Sequence, residues 1–384
     1  MLKWIGGLLA IVVIGVAAFF FCVLPAKFEA SLNRVVPVEP VTVTPEAEAL
    51  HKTLRVSDLH ADTLLWARDP LRRANRGHVD LPRLEEGGHR LQVFSAVTKT
   101  PKNLNFERNT GDSDQITLLA IAERWPIKSW GSLAERALYQ ARRLDKAAAH
   151  SNGALKVVHS RAELAEALDS GAVAGILATE GAHPLEGDLA NLDRLYDAGY
   201  RMMGLQHFFD NELGGSLHGV SGEGLTEFGR EAVKAAIARG MIIDLAHSSE
   251  AVDRDVLALT DAPIIVSHTG VRGQCDSRRN ISDELMQQIA ARGGVIGIGF
   301  WEGAVCKGSV GAIADAIVYA VNLLGAEHVG LGSDFDGAVT APIDTAQVAE
   351  LTQALMDRGL DEGTIRLVMG ENEIRFFLEN LPEN

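Results

Sequence analysis

Hydrophobic and polar positions divide this chain into an apolar opening, a proline-punctuated stretch and a long body of alternating patterns. From Trp4 to Leu24 no residue is charged, and at about 1.5 Å per residue such a helix spans the roughly 30 Å hydrocarbon core of a bilayer. An export signal is the competing reading. The run exceeds the usual signal core of about 7–15 residues, and no small-x-small cleavage site follows Leu24, which favours an uncleaved membrane helix over residues 1–25. Lys3 on one flank, against Lys27 and Arg34 with Glu29 on the other, orients the bulk of the chain outside the cytoplasm. Residues 26–50 carry Pro37, Pro40 and Pro45 without helical periodicity and are expected as an extended tether.

Beyond the tether, short β-rich runs recur, each ending in polar residues or glycine and most followed by an amphipathic segment. They are Leu54–Leu59, Leu91–Val97, Ala172–Ala178, Arg201–Gln206, Met241–Ala246, Pro263–Ser267, Gly294–Phe300 and His328–Gly332. Unbroken apolar cores such as Ile264-Ile265-Val266 suit parallel strands buried on both faces. Ser160-Arg161-Ala162-Glu163 has capping-box spacing, and Ser282 opens a second helix. Eight strands with crossover helices predict an α/β fold, a (β/α)8 TIM-type barrel over 51–384. An open doubly wound sheet is the alternative. The stretch 98–157 is too long for one crossover and is expected to hold a helical insertion, with Ser132–Ala148 its clearest helix.

Composition narrows the function. With 36 Lys+Arg against 51 Asp+Glu, the formal charge is −15, and no basic stripe offers a face for nucleic acid. Cys22 lies inside the apolar run, leaving Cys275 and Cys306, which can pair in an oxidising compartment although their number alone does not prove it. No phosphate-binding loop, dinucleotide fingerprint or G-x-S-x-G elbow occurs. Asp334-Phe335-Asp336-Gly337 is a fragment of a calcium loop without its distal glutamate.

The chemistry gathers at the carboxyl ends of the expected strands, where barrels place their sites. The first run leads to His60-Ala61-Asp62, the third to Glu180, the fourth to His207, the fifth to His247, the sixth to His268 and the eighth to Asp334. Any one of these histidines reads more readily as a core residue than as a ligand. Recurrence at the same position in strand after strand argues instead for a metal centre.

Taken together, His60-Ala61-Asp62, Gly77-His78-Val79-Asp80-Leu81-Pro82-Arg83-Leu84, Glu180-Gly181-Ala182-His183, Asp244-Leu245-Ala246-His247, Ser267-His268, Ser277-Arg278-Arg279-Asn280 and Gly332-Ser333-Asp334-Phe335-Asp336-Gly337 resemble the membrane (renal) dipeptidase family. The resemblance implies a two-zinc amidohydrolase-type barrel that hydrolyses dipeptides with a free carboxyl-terminal carboxylate through a metal-bridging hydroxide. It further implies that His60 and Asp62 hold one Zn2+, His247 and His268 the other, and Glu180 both. By the same resemblance His207 polarises the scissile carbonyl, Arg279 grips the substrate carboxylate, Asp334 carries the proton, and Cys275 pairs with Cys306. A homodimer is one assembly it admits. Mammalian members are held by a carboxyl-terminal lipid anchor, whereas the expected attachment here is the amino-terminal helix. A related two-metal hydrolase of a lactone, a β-lactam or a dedicated secreted-metabolite precursor is the alternative.

Overall fold

The computed structural model describes residues 2–383, with side chains from Trp4 onward; Met1, Asn384 and the side chain of Lys3, which entered the orientation argument, lie outside the described residues. Eight parallel strands form the barrel: β1 (Val56–Ala61), β2 (His89–Val97), β3 (Val173–Glu180), β4 (Tyr200–Gly204), β5 (Ile242–Asp244), β6 (Ile265–Thr269), β7 (Val295–Ile298) and β8 (Val329–Leu331). Neighbours in sequence are neighbours in the sheet from β1 through β8. The ring closes through a single bridge between Ala61 and Phe335, where the Asp62 amide donates to the Phe335 carbonyl at 2.9 Å. Closure therefore falls next to the His60–Asp62 pair, and it answers the open-sheet alternative.

These segments are strands because their apolar runs are buried on both faces, the inner against one another and the outer against helices. All six residues of β1 and all eight of β3 are buried. Leu59, Val93, Ile176, Met202, Ile242, Ile265 and Val295 share one apolar cluster with Phe376 and Phe377 of the C-terminal helix Asn372–Asn380. The barrel is thus a packed core, and the strand ends opposite that helix are left for chemistry.

The helices begin where their caps predict. The Ser160 hydroxyl accepts from the Glu163 amide at 3.2 Å, and Ser282 does the same for Leu285 at 3.4 Å. Between β2 and β3 lie the helices Ile116–Ala122 and Leu133–His150 and a short strand, Leu155–Val157, that pairs with β3.

The N-terminal segment departs from the expected pattern. Helical structure runs from Leu2 through Leu32, with a π-helical stretch over Phe19–Val23, and Trp4–Leu32 is long and apolar enough to cross a membrane by length and composition. Residues 26–50 are not the extended tether expected. Leu24–Leu32 is helical, Arg34–Val35 pairs in parallel with Thr340–Ala341, and Pro45–His51 is a helix capped by Thr44. Pro45 occupies the first turn of its helix, where the missing N–H costs nothing, and Pro25 follows the π-helical stretch inside the continuous helix. The Val36 amide donates to the Ala341 carbonyl at 2.9 Å and the Thr44 amide to Gln353 Oε1 at 2.9 Å, so the segment is fastened to the barrel.

Candidate metal centre

Each residue singled out at a strand end arrives at one place. His60 and Asp62 come from the end of β1, Glu180 is the last residue of β3, and His268 lies within β6. His207, His247 and Asp334 each stand three residues beyond the end of their strands, β4, β5 and β8. Glu180 Oε1 lies 3.3 Å from His207 Nε2, 3.3 Å from His247 Nε2, 3.5 Å from His60 Nε2 and 3.6 Å from His268 Nε2. Asp62 Oδ1 is 3.5 Å from His60 Nε2. All of these side chains are buried.

Two groups of ligand atoms fall within 4.8 Å of one another: His60, Glu180, His268 and Asp334 in the first, Glu180, His207 and His247 in the second. Glu180 belongs to both. The split differs from the one the resemblance implies: His268 falls with His60, His207 with His247, and Asp62 in neither group, although His268 Nε2 lies 2.9 Å from His247 Nε2. His247 and Asp334 have φ of 66° and 60°. Non-glycine residues adopt this left-handed region at a cost, and such strained positions are found clustered at active sites.

Sequence reasoning did not single out the residues that aim these ligands. The Ser267 hydroxyl donates to Asp244 at 2.6 Å and lies 2.9 Å from His268 Nδ1 and 3.2 Å from His60 Nδ1. One hydroxyl proton and two lone pairs suffice for all three bonds if both imidazoles carry their proton on Nδ1. The Nε2 atoms are then free electron pairs turned toward Glu180. On the other side of the barrel, Asp58 accepts from the His60 amide at 3.1 Å, from the Ser333 amide at 3.0 Å and from the Ser333 hydroxyl. It thereby ties β1 to the turn that carries Asp334. A signal was present in the spacing, with a serine directly before His268 and Asp334 and an aspartate two residues before His60.

The electrostatics fit a cation site. Burial, then Arg279, holds His247 well below the usual imidazole range, and burial, then His60, does the same to His268. Both are neutral donors. Burial, then the charge of Glu180, pushes Asp62 up to about 7. Burial raises Asp334 well above the carboxylate range, with Glu180 and Asp62 adding to it and His60 and Arg279 opposing. Against burial, Asp62 and Glu180 raise His60, so a proton there occupies the spot that suits a metal ion. His60 Nε2, Asp62 Oδ1 and Glu180 Oε2 are buried without a hydrogen-bond partner. Buried polar atoms in native proteins are seldom left so. Imidazole nitrogens and carboxylate oxygens are the donor set of zinc and its neighbours.

Arg279 arrives on the loop after β6. Its guanidinium donates to the His268 carbonyl at 2.8 Å and stacks 5.3 Å from the Trp301 ring centroid. Burial lowers it to about 10, which leaves it charged near neutral pH. The Cys275–Cys306 disulfide joins this loop to the one that carries Trp301. Asn280 reinforces the join by donating to the carbonyls of Cys275 and Ala304, each at 2.8 Å. Of the other histidines near the mouth, His218 stacks on Phe208 and His183 packs beside Phe209. Asp336 is structural: it pairs with Arg68 and accepts from Thr63 and from the His78 amide.

Asp62, Glu180, His207, His247, Arg279 and Asp334 all face one cavity of about 370 Å³, whose remaining walls are mostly apolar. This is the low end of the size range of small-molecule sites, roughly 300–1,000 Å³. A metal centre at the bottom and a guanidinium on the wall give it polarity at two fixed points.

Comparison with known proteins agrees with this geometry. Dipeptidase aclJ of Aspergillus oryzae is 29% identical over 94% of this chain and 85% of its own. An uncharacterised dipeptidase, C965.12, of Schizosaccharomyces pombe is 28% identical over 78% of this chain and 71% of its own. Among solved structures, a metallopeptidase of Rhodobacter sphaeroides liganded with a phosphinate mimic of the dipeptide L-Ala-D-Ala superposes with a TM-score of 0.68, at 26% identity over 86% of this chain and 99% of that one. The family model of the membrane dipeptidases matches residues 44–381. With the barrel, the buried ligand clusters and a match over most of its length, the chain belongs to the membrane dipeptidase family, peptidase family M19, and is a metallo-dipeptidase.

Proposed function

We propose that this is a two-zinc dipeptidase, tethered to a membrane by its N-terminal helix, that works on the extracytoplasmic side on dipeptides with a free carboxyl terminus. The observation that carries the reading is the position of Glu180, whose carboxylate stands within 3.6 Å of four imidazoles and belongs to both ligand groups. His60 and Asp62 would hold one ion, His247 and His268 the other, and Glu180 would join them. His268, grouped with His60, and Asp62, in neither group, are the residues whose places differ most from this assignment. When bound, a pair of divalent ions supplies an acidified water as nucleophile and a Lewis acid for the amide carbonyl.

The side chains do the rest. Arg279, lying over the Trp301 ring, meets the substrate carboxylate as a fixed fork. A longer peptide would put a neutral amide there and leave a buried charge unpaired, which restricts the site to two residues. His207 Nε2 points into the cavity beside Glu180 and donates to the oxygen that gains charge as the carbonyl becomes tetrahedral. Burial, with Glu180 and Asp62 beside it, raises Asp334 above the ordinary carboxylate range, and the charge of bound cations would favour the carboxylate form that can accept a proton. Asp334 is the group that takes the proton of the attacking water and returns it to the departing amine.

The test is a pair of substrates differing only at the carboxyl terminus. Wild-type protein should hydrolyse a dipeptide and fail on its carboxyl amide. In Arg279→Lys the difference should shrink by about ten- to a hundredfold, since a point charge replaces a two-pronged contact worth roughly 1.5–3 kcal/mol. Equal rates on acid and amide in the wild type would contradict the reading.

A further inference from the structure

The N-terminal helix reaches further into the molecule than an anchor needs to. Phe28 and Leu32, on its last turns, line the same cavity as Glu180, His207 and Arg279. Phe28 is 40% exposed and its ring lies 6.3 Å from that of Trp66, and Leu32 packs on the apolar cluster formed by Leu65, Trp66, Val97, Ile116 and Leu119. Between them, Glu29 is only 1% exposed. Its two oxygens bond Arg68 Nε at 2.5 Å and Arg76 Nε at 2.6 Å. Arg68 continues to Asp336, whose carbonyl accepts from the Trp66 indole at 2.7 Å.

A buried carboxylate shared by two guanidiniums fixes a helix in one position, since removing any member leaves an uncompensated charge. The clamp therefore holds Phe28 and Leu32 at a set place on the cavity wall. Both residues precede the segment matched by the family model, which begins at residue 44. The wall they build thus lies outside the segment that the family model matches.

We propose that Phe28 and Leu32 are specificity-determining residues: the end of the membrane helix forms an apolar wall of the dipeptide site and selects substrates with bulky apolar side chains. This rests on the reading of the cavity as the dipeptide site. The inner part of the cavity presents charge and metal ligands, and the helix end presents hydrocarbon opposite them. A substrate side chain pressed on that wall leaves water, and each methylene buried is worth close to fourfold in binding at about 0.8 kcal/mol.

The experiment uses the full chain in detergent micelles, loaded with zinc, and reads kcat/KM for Leu-Leu over that for Ala-Ala. Phe28→Ala and Leu32→Ala should each lower this ratio about fivefold or more, mainly through KM for Leu-Leu. Leu8→Ala, on the exposed membrane-spanning part of the same helix, should leave it unchanged. Metal content per chain is measured for every variant, so that a fall caused by a damaged centre is told apart from loss of the wall. If Phe28→Ala loses metal, Leu32→Ala gives the same reading. An unchanged or raised ratio with metal content intact overturns the proposal. Failure of the zinc-loaded wild type on both dipeptides would instead overturn the dipeptidase reading, and this inference with it.

Discussion

At the scale of single residues, the centre depends on side chains that never touch a substrate. Ser267 has one hydroxyl, and the structure places it between Asp244, His60 and His268. Removing it leaves two imidazoles free to turn or to change tautomer. Ser267→Ala is therefore expected to weaken zinc binding about 10–100-fold, measured by competition with a chromogenic chelator, while the protein stays folded by circular dichroism. Affinity equal to wild type would show that the imidazoles are aimed by packing alone. The candidate ligands were legible in the sequence as a recurring set, because His, Asp and Glu are costly inside a core and kept recurring at strand ends. Ser267 and Asp244 stood inside the quoted motifs and Asp58 two residues before His60, but their roles were not legible, because a serine or aspartate beside a strand reads as an ordinary cap or turn residue. Only the fold shows which residue each one bonds.

At the scale of elements, two loops that are distant in sequence act as one jaw. The Cys275–Cys306 bond spans 31 residues of sequence and joins the loop of Arg279 to that of Trp301. Opening a link over such a separation typically costs a domain about 2–4 kcal/mol. The double variant Cys275→Ser, Cys306→Ser should melt at lower temperature and show a raised KM for dipeptides with little change in bound metal, since no metal ligand lies on either loop. Loss of metal with KM preserved would assign the bond to the centre and not to substrate binding. Strand positions were readable from the apolar runs, to within a few residues at the ends. The segment 26–50 was misread because its first residues continue the preceding apolar helix, Pro45–His51 is short, and both owe their place to docking. Glu29, for example, looks like a surface charge until Arg68 and Arg76 are brought to it from the barrel. Local periodicity carries no trace of such partners.

At the scale of the whole molecule, closure of the sheet converts a linear series of strand ends into one centre. Spacing along the chain could not show this, since a single bridge between Ala61 and Phe335 distinguishes the barrel from an open sheet. The closed barrel also buries histidines that are not among the candidate ligands, and they contribute to its response to acid. Burial, and then the charge of His51, lowers His89 to about 3, and burial lowers His183 to about 3. In the unfolded chain both titrate near 6.5, so below that pH the unfolded state binds protons that the native state refuses. Their contribution to stability should therefore be complete above about pH 6.5 and be lost steadily as pH drops toward 3, against buried carboxyls such as Glu123, pushed up to about 7, that act in the opposite direction; urea midpoints across that range follow the sum. His89→Gln should flatten the slope between these limits, and an unchanged slope would remove His89 from the account.

The central claim is that two ions, joined by Glu180, make this barrel a dipeptidase. It is tested most directly by stripping the full chain with chelator in detergent and titrating zinc back, while amino-acid release from a dipeptide and bound metal are read on the same samples. The account expects no release from the stripped protein and full recovery at two zinc ions per chain. It further expects neither full binding nor recovery in Glu180→Gln. Release that survives stripping, or that is complete with one ion per chain, would contradict it.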